Sequence, residues 1–251
     1  MTKYIYLDTN AFEFLAETKE YLSLFKNWVK GRDINIVISS VTEGELTMGY
    51  NKFIEFNSFI NDTDFSFLFL GRYSSLTGLE EKYYPNSFDI KEVSLNEETN
   101  KILAGNPYDF NEIKDNINFG NALNFHINAA EIMFPNIITM FFLKNPPKNG
   151  YYSQSEKGKL RQKILDNCKT GFFSKADMII IEFLFKKHLI QPKKGLENSD
   201  FADIQHIAYS PYMDYFITDK NNVDILKQIK KSTDLLNRTT MIKSKTEFKT
   251  F

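Results

Sequence analysis

The sequence has one cysteine, three histidines and almost no net charge. Its 251 residues include 31 Lys and Arg against 32 Asp and Glu, which gives a formal net charge of -1. The single cysteine, Cys168, excludes a disulfide framework and a thiolate zinc cluster. A near-neutral chain does not bind nucleic acid through overall basicity. Any attraction to phosphate must therefore come from local basic patches or from a bound metal.

Long apolar runs are also missing from the sequence. No stretch approaches the roughly 20 apolar residues that span a bilayer, and no charged-then-apolar leader opens the chain. We therefore expect a cytoplasmic protein without membrane contact. Hydrophobic residues still make up 42% of the chain and aromatic residues 15%. That content supplies a sizeable core and argues against disorder.

Strands and helices alternate at the N-terminal end of the chain. The apolar run at 3–8 predicts a strand that is covered on both faces. An apolar stripe at 14–29 predicts one helix, which ends at Gly31. The run at 35–39 predicts a second strand. This strand–helix–strand order implies a parallel pair.

The C-terminal part repeats the pattern. We predict a helix from Asp200, a strand that ends at Thr218, a helix near 222–230 and a short strand near 239–242. Together the two ends predict an α/β fold with a parallel sheet between two layers of helices. We expect the whole chain to form a single domain.

The segment at about 50–195 is predicted to be a mainly helical insertion in that domain. Residues 65–70 form a short apolar run that periodicity assigns to neither strand nor helix. Residues 80–115 are polar and favour loops, and 118–134 is predicted to be a helix. Two capping boxes indicate further helix starts, Ser153 with Glu156 and Ser174 with Asp177.

Acidic residues stand where the predicted strands end. Asp8 follows the first strand, and Asp219 follows the late strand. Glu45 lies just inside a helix after the second strand, and Asp200 and Asp203 share one face of a later helix. Ligands of open α/β sheets bind at the carboxyl ends of the strands. We therefore expect these carboxylates to form an all-oxygen site for a hard cation.

This order of features resembles the PIN-domain nucleases. The matching features are a strand that ends in Asp-Thr-Asn, a Glu-Leu pair at a helix start, and a late helix acid followed by strand-Thr-Asp. They cover roughly residues 3–46 and 198–222. In that family a strand-end Asp, a Glu before Leu and two later Asp form one metal site. The resemblance implies that the catalytic metal ligands are Asp8, Glu45, Asp203 and Asp219, together with Asp200.

The chemistry that the resemblance implies is metal-dependent cleavage of phosphodiester bonds. Bound Mg2+ or Mn2+ lowers the pKa of a water and neutralises charge on the phosphate. Carboxylates gathered without counter-charges repel one another, and the metal relieves that repulsion. The implied activity is an endoribonuclease of a toxin or defence system, with RNA favoured over DNA. An inhibitory protein is an implied partner, and a homodimer is left open.

Four more residues are candidates for supporting roles. Asn10 and Thr218 would orient carboxylates or a phosphate in the shell around the metal. His206 and Lys220 would contact the substrate, although a lone helical histidine is more often structural. Three tyrosines near the late strand would either stack on bases or pack in the core, Tyr209, Tyr212 and Tyr215.

The candidate residues also have structural interpretations, which for Glu45 is that of a solvated helix acid. Asp8 and Asn10 are favoured helix caps. Asp200 would only complement the dipole at a helix start, and Asp219 would belong to an ordinary turn after a strand.

Two further acids compete with the candidates. Glu43 is an alternative to Glu45, which we prefer because it directly precedes Leu46 in the family pattern. Asp177 also opens an apolar helix, but it lies about 40 residues before Asp219. We interpret Asp177 as a capping-box acid.

Three other functions fit parts of the pattern. A structure-specific DNA nuclease would use the same site. A catalytically inactive PIN-like module would bind RNA or a protein. An aspartyl phosphatase usually has a second Asp two residues after the first, and that position holds Asn10, which argues against covalent phospho-aspartate chemistry.

Overall fold

The protein has an α/β fold. The computed structural model describes residues 2–39, 41–42, 45, 65–70, 73–84, 86, 90, 159, 174–190 and 198–247. The strands within them are β1 (Lys3–Leu7), β2 (Ile34–Ser39), β3 (Ser66–Leu70), β4 (Tyr215–Thr218) and β5 (Thr240–Lys243). The α-helices within them are α1 (Thr9–Glu17), α2 (Lys19–Val29), α3 (Tyr73–Tyr83), α4 (Lys175–Ile190), α5 (Asn198–Ile207) and α6 (Lys220–Ser232). None of these described helices is long and apolar enough to cross a membrane.

The five strands form one parallel sheet in the order β3-β2-β1-β4-β5. In the central register, Ile5 of β1 pairs with Ile36 of β2 on one side and with Tyr215 of β4 on the other. The chain first builds outward through β2 and β3, then returns to the other side of β1 for β4 and β5. The direction of winding therefore switches between β1 and β4, where ligands of such sheets bind. The predicted parallel α/β architecture is confirmed.

Strand β1 is covered on both faces, as its apolar run predicts. Ile5 and Leu7 pack with α1 and α2 in one hydrophobic cluster. Tyr4 and Tyr6 belong to a second cluster that includes side chains of α4, α5 and α6. Successive strand residues point to opposite faces, so the two clusters lie on opposite sides of the sheet.

The prediction of a single helix at 14–29 is wrong. Thr18 is extended, with φ -116° and ψ 93°, and separates α1 from α2. Its amide donates to the carbonyl of Phe14 at 3.2 Å, which closes the last turn of α1. A β-branched residue has low helix propensity, which favours a break at this position. The predicted end at Gly31 is confirmed, since this residue has a φ of 74° just beyond α2.

Pairing with β2 decides the structure of the apolar run at 65–70. It forms β3, with Leu68 opposite Val37. Helix α3 extends to Tyr83, so the predicted loop is wrong for 80–83. The predicted helix at 118–134, the capping box at Ser153 and Cys168 lie outside the described residues, as does most of the segment at about 50–195.

The capping box at the start of α4 is confirmed. The Asp177 amide donates to Ser174 Oγ at 2.9 Å, and the Ser174 amide donates to Asp177 Oδ2 at 3.2 Å. Ser174 Oγ also donates to Asp177 Oδ2 at 2.6 Å. These reciprocal bonds satisfy backbone donors that a helix start leaves unpaired. Asp177 is therefore a helix-start residue, as the sequence predicts.

Replacing Ser174 should destabilise the protein. Ser174→Ala removes the acceptor of the Asp177 amide, and an N-terminal cap is worth about 1 kcal/mol. For a chain of this size we expect the melting temperature to fall by roughly 2–4 °C. A circular-dichroism melt measures the change. The control is Ser23→Ala, because exposed Ser23 donates only to the Lys19 carbonyl of its own helix. Equal melting of the two variants would contradict the capping role.

Candidate active site at the carboxyl edge of the sheet

Asp8 and Asp219 mark the carboxyl ends of β1 and β4, the two strands at the winding switch. Each is also the N-cap of the following helix. Asp8 Oδ1 accepts from the Ala11 amide at 2.7 Å. Asp219 Oδ1 accepts from the amides of Asn221 at 2.6 Å and Asn222 at 3.1 Å. Capping therefore fixes both carboxylates at one edge of the sheet, and the positive ends of two helix dipoles point there.

A hydrogen-bonded bridge joins Asp8 to Asp203. The Thr218 hydroxyl donates to Asp8 Oδ2 at 2.5 Å. Asn222 Nδ2 lies 3.4 Å from Thr218 Oγ1 and donates to Asp203 Oδ1 at 2.9 Å. Thr218, predicted to orient a carboxylate, contacts Asp8. The role of Asn222 was missed, although its position three residues after Asp219 on the first turn of α6 was a signal.

Asp200 and Asp203 share one protein cation. The ammonium of Lys187, on α4, contacts Asp200 Oδ1 and lies 3.2 Å from Asp203 Oδ2. The Lys187 side chain is 19% exposed, Asp203 is 23% exposed and Asp200 is 5% exposed. The expectation that these acids gather without counter-charges is therefore wrong. Sequence reasoning missed Lys187 because only the packing of α4 on α5 brings it to the acids.

Glu45 belongs to a buried polar chain that starts on β2. Its Oε2 accepts from the Thr9 hydroxyl and lies 2.8 Å from Nε2 of His206. His206 Nδ1 lies 2.7 Å from the hydroxyl of Tyr6, which in turn lies 2.6 Å from Ser39 Oγ. Both ring nitrogens of the predicted substrate-contacting histidine thus face protein groups. This series of hydrogen bonds fixes the direction of the Glu45 carboxylate. The competing acid, at position 43, lies outside the described residues.

The other predicted residues divide between surface and core. Asn10 and Lys220 are exposed on the first turns of α1 and α6, beside the caps. Tyr209 and Tyr212 are buried, which confirms the packing interpretation for both. Tyr215 begins β4 and lies at the amino edge of the sheet, away from the acids.

Known proteins add no identification. Comparisons with protein-family models, with curated proteins and with solved structures give no match. The resemblance to PIN-domain nucleases therefore rests on the residue pattern of this chain, and its function has to be argued from the geometry of this edge.

Burial and mutual repulsion raise the pKa values of acids at this edge. Burial raises the pKa of Asp8 to about 6, against the opposing charge of His206, and Asp219 adds to the rise. Burial also raises the pKa of Asp203, although Lys187 opposes it. Burial lowers the pKa of His206, but the surrounding carboxylates outweigh it and the net pKa is raised. Perturbed carboxylates in one cluster favour a bound cation or a proton, as at functional sites.

The donors at this edge fit a hard cation in chemistry but not in their present spacing. Asp8, Asp203 and Asp219 offer only carboxylate oxygens, the ligands that Mg2+ and Mn2+ prefer. Among the described residues, no three His, Cys, Asp or Glu side chains stand close enough together to hold a metal ion. One oxygen of Asp203 faces Lys187 and the other faces Asn222. Asp203 would have to exchange a partner to bind a cation.

Proposed function

We propose that the chain is a metal-dependent, PIN-like nuclease that hydrolyses phosphodiester bonds. The observation that carries this proposal is the position of Asp8 and Asp219 at the winding switch of the parallel sheet. The bridge through Thr218 and Asn222 ties Asp203 to the same place. Sheets of this kind bind their ligands at that point, and carboxylate oxygens are the ligands that a hard divalent cation prefers.

The side chains divide into ligands, orienting groups and substrate contacts. Asp8, Asp203 and Asp219 would hold Mg2+ or Mn2+. Glu45, which His206 orients, would be a further acid of the site. When bound, the metal would lower the pKa of a water and neutralise charge on the phosphate. Thr218 keeps Asp8 in place. The exposed side chains of Asn10 and Lys220 lie beside the caps, where they would meet the backbone of a nucleic acid.

RNA is the proposed substrate, through the resemblance to PIN-domain ribonucleases. The net charge of -1 means that the attraction to phosphate comes from local groups and the cation. The proposal includes a PIN-like core with an insertion at about 50–195, a cytoplasmic location and an inhibitory protein partner of a toxin or defence system. Homodimerisation is open to measurement by light scattering.

Cleavage of labelled single-stranded RNA and DNA in Mg2+, Mn2+ or EDTA tests the proposed function. We expect RNA to be cut in either metal and not in EDTA, because the carboxylates need a cation to act on phosphate. Asp219→Asn should lower the rate by about 100-fold or more. This variant keeps an N-cap, since Asn is favoured there.

The matched control for that assay is Asp33→Asn. Asp33 is an exposed acid at the amino edge of the sheet, where its Oδ2 accepts from Thr2 Oγ1 at 2.8 Å. Its replacement should leave the rate unchanged. Cleavage of DNA alone would reassign the substrate and keep the site. Absence of cleavage for both polymers in both metals would overturn the nuclease proposal.

A further inference from the structure

We propose that a pocket at the amino edge of the sheet binds a small sugar phosphate. This amino-edge pocket has a volume of about 210 Å³ and is lined by Lys3, Arg32, Asp33, Ile34 and Tyr215. Two cations, one carboxylate and an aromatic ring therefore meet in one cavity. The pocket is separate from the proposed nuclease site, because strand β4 puts roughly 10 Å between the two edges of the sheet.

Backbone contacts hold the lining of the amino-edge pocket in place. Lys3 begins β1, and its amide donates to the carbonyl of Asp33 at 2.8 Å. Gly31 has a φ of 74°, a conformation that glycine adopts easily and that redirects the chain after α2. The Arg32 amide then donates to the carbonyl of Val29 at 3.1 Å. The backbone of the pocket is thus formed before a ligand arrives, which lowers the ordering cost of binding.

Each cation of the pocket lies against an aromatic ring. The ammonium of Lys3 is 5.6 Å from the ring centroid of Tyr215 and 3.5 Å from its hydroxyl oxygen. The guanidinium carbon of Arg32 is 5.1 Å from the ring centroid of Trp28. The two rings meet edge to face, with centroids 5.0 Å apart. Aromatic faces attract cations, so this pair of rings keeps both charges at the pocket without neutralising them.

The two cations are available to an anion. Within the described part of the chain, neither Lys3 nor Arg32 forms an ion pair with a carboxylate. The acid in the lining, Asp33, uses its Oδ2 to accept from the Thr2 hydroxyl at 2.8 Å. A guanidinium offers a planar fork of N–H donors that matches phosphate, and an ammonium binds phosphate as a point charge. A phosphate group is therefore the anion that suits this pair.

The rest of the lining indicates what the phosphate is attached to. The carboxylate of Asp33 repels a bare anion, but it can accept from a hydroxyl group of a ligand. Ile34 and the ring of Tyr215 supply an apolar wall for one face of a sugar ring. The volume corresponds to about seven water molecules, which is less than the pockets of drug-sized ligands. A phosphate on a single sugar ring has the size, the charge and the hydroxyl groups that this lining requires.

Calorimetry in EDTA without nucleic acid tests the amino-edge pocket, with ribose 5-phosphate and inorganic phosphate as probes. We expect ribose 5-phosphate to bind wild type with a Kd of about 1 mM or tighter. It should bind about tenfold tighter than inorganic phosphate, because only the sugar donates to Asp33. Arg32→Met should weaken the binding of both probes by about tenfold or more, since a charge-assisted contact with the phosphate is lost.

Asp33→Ala separates the contact with the sugar from the contact with the phosphate. Loss of the carboxylate removes a repulsion and should tighten the binding of inorganic phosphate by about twofold or more. The same change removes the acceptor of the sugar hydroxyl and should weaken the binding of ribose 5-phosphate by about fivefold or more. A general loss of structure would weaken both. The control is Lys30→Met, which removes an exposed cation at the end of α2 outside the lining and should leave both affinities unchanged.

Four outcomes would overturn the assignment of this pocket. Wild type might bind neither probe at millimolar concentration, or bind both with equal affinity, which would describe a general anion site. Unchanged affinities in Arg32→Met would place the ligand elsewhere on the protein. Binding of single-stranded RNA that Arg32→Met abolishes, without binding of ribose 5-phosphate, would make the pocket a nucleic-acid contact. The calorimetry uses neither metal nor cleavage, so the proposed nuclease function stands or falls separately.

Discussion

Asp8→Asn is expected to lower the cleavage rate by about 100-fold or more while making the metal-free protein more stable. Asp8 is only 4% exposed, so the charge of its carboxylate is poorly solvated unless a cation is bound. Asn has the same shape and its oxygen can still accept from the Ala11 amide, which preserves the cap of α1. The charge is lost, together with the oxygen that accepts from the Thr218 hydroxyl, and the charge is what a metal requires. Single-turnover cleavage of RNA in Mn2+ measures the first effect.

The stability effect of Asp8→Asn depends on pH. Burial raises the pKa of Asp8 to about 6, whereas an unfolded Asp has a pKa of about 3.9. The folded protein holds this proton more tightly, so the stabilisation present below about pH 4 is lost as the pH rises through 6. A pKa of about 6 in place of about 3.9 corresponds to at most about 3 kcal/mol of stability. In EDTA at pH 7.5 we expect the variant to melt roughly 5 °C above wild type, with a smaller gap at pH 5.

The control for both effects is again Asp33→Asn, whose exposed carboxylate lies at the opposite edge of the sheet. We expect its cleavage rate and its melting curves to follow those of wild type. Wild-type cleavage by Asp8→Asn would remove Asp8 from the mechanism. A lower melting temperature for Asp8→Asn at pH 7.5 in EDTA would show that the contact with Thr218 outweighs the cost of the buried charge.

The sequence predicts those parts of the fold and the site that depend on local signals. Asp8 and Asp219 each follow an apolar run and precede a helix, so an acid at a strand end is visible from neighbouring residues. Gly31 and the capping box at Ser174 are equally local. The break at Thr18 is not visible, because the apolar stripe continues across it and only the extended backbone separates the two helices.

Contacts between distant elements could not be predicted. Lys187 reaches Asp203 across 16 residues of sequence, by the packing of two helices. Tyr6 meets His206 across 200 residues. In the sequence Tyr6 is one aromatic residue of an apolar strand, and nothing local indicates that its hydroxyl is paired. One isolated sequence gives the positions of the acids but not the groups that neutralise and orient them.

His206→Ala is expected to destabilise the protein by about 2–4 kcal/mol and to lower the cleavage rate about 10-fold to 100-fold. His206 is 6% exposed and contacts Tyr6 at Nδ1 and Glu45 at Nε2. Its loss leaves a cavity and removes one partner from the buried Tyr6 hydroxyl and one from the partly buried Glu45 carboxylate. The Glu45 carboxylate then keeps its contact with Thr9 but loses the imidazole that orients it. Urea unfolding and RNA cleavage measure the two effects.

A double-mutant cycle with Tyr6→Phe tests whether the buried chain acts as a unit. Burial keeps the pKa of Tyr6 well above its ordinary value, so its hydroxyl is a neutral hydrogen-bonding group. Phe preserves the ring, which stacks on Phe216 with centroids 5.0 Å apart, and removes only the hydroxyl. If Tyr6 acts through His206, the effects of Tyr6→Phe and His206→Ala on the free energy of unfolding should be non-additive by about 0.5–3 kcal/mol. In a control cycle of His206→Ala with Ser174→Ala, the changes in the free energy of unfolding should be additive within about 0.5 kcal/mol. Additivity of the Tyr6 pair would mean that His206 orients Glu45 without help from the sheet.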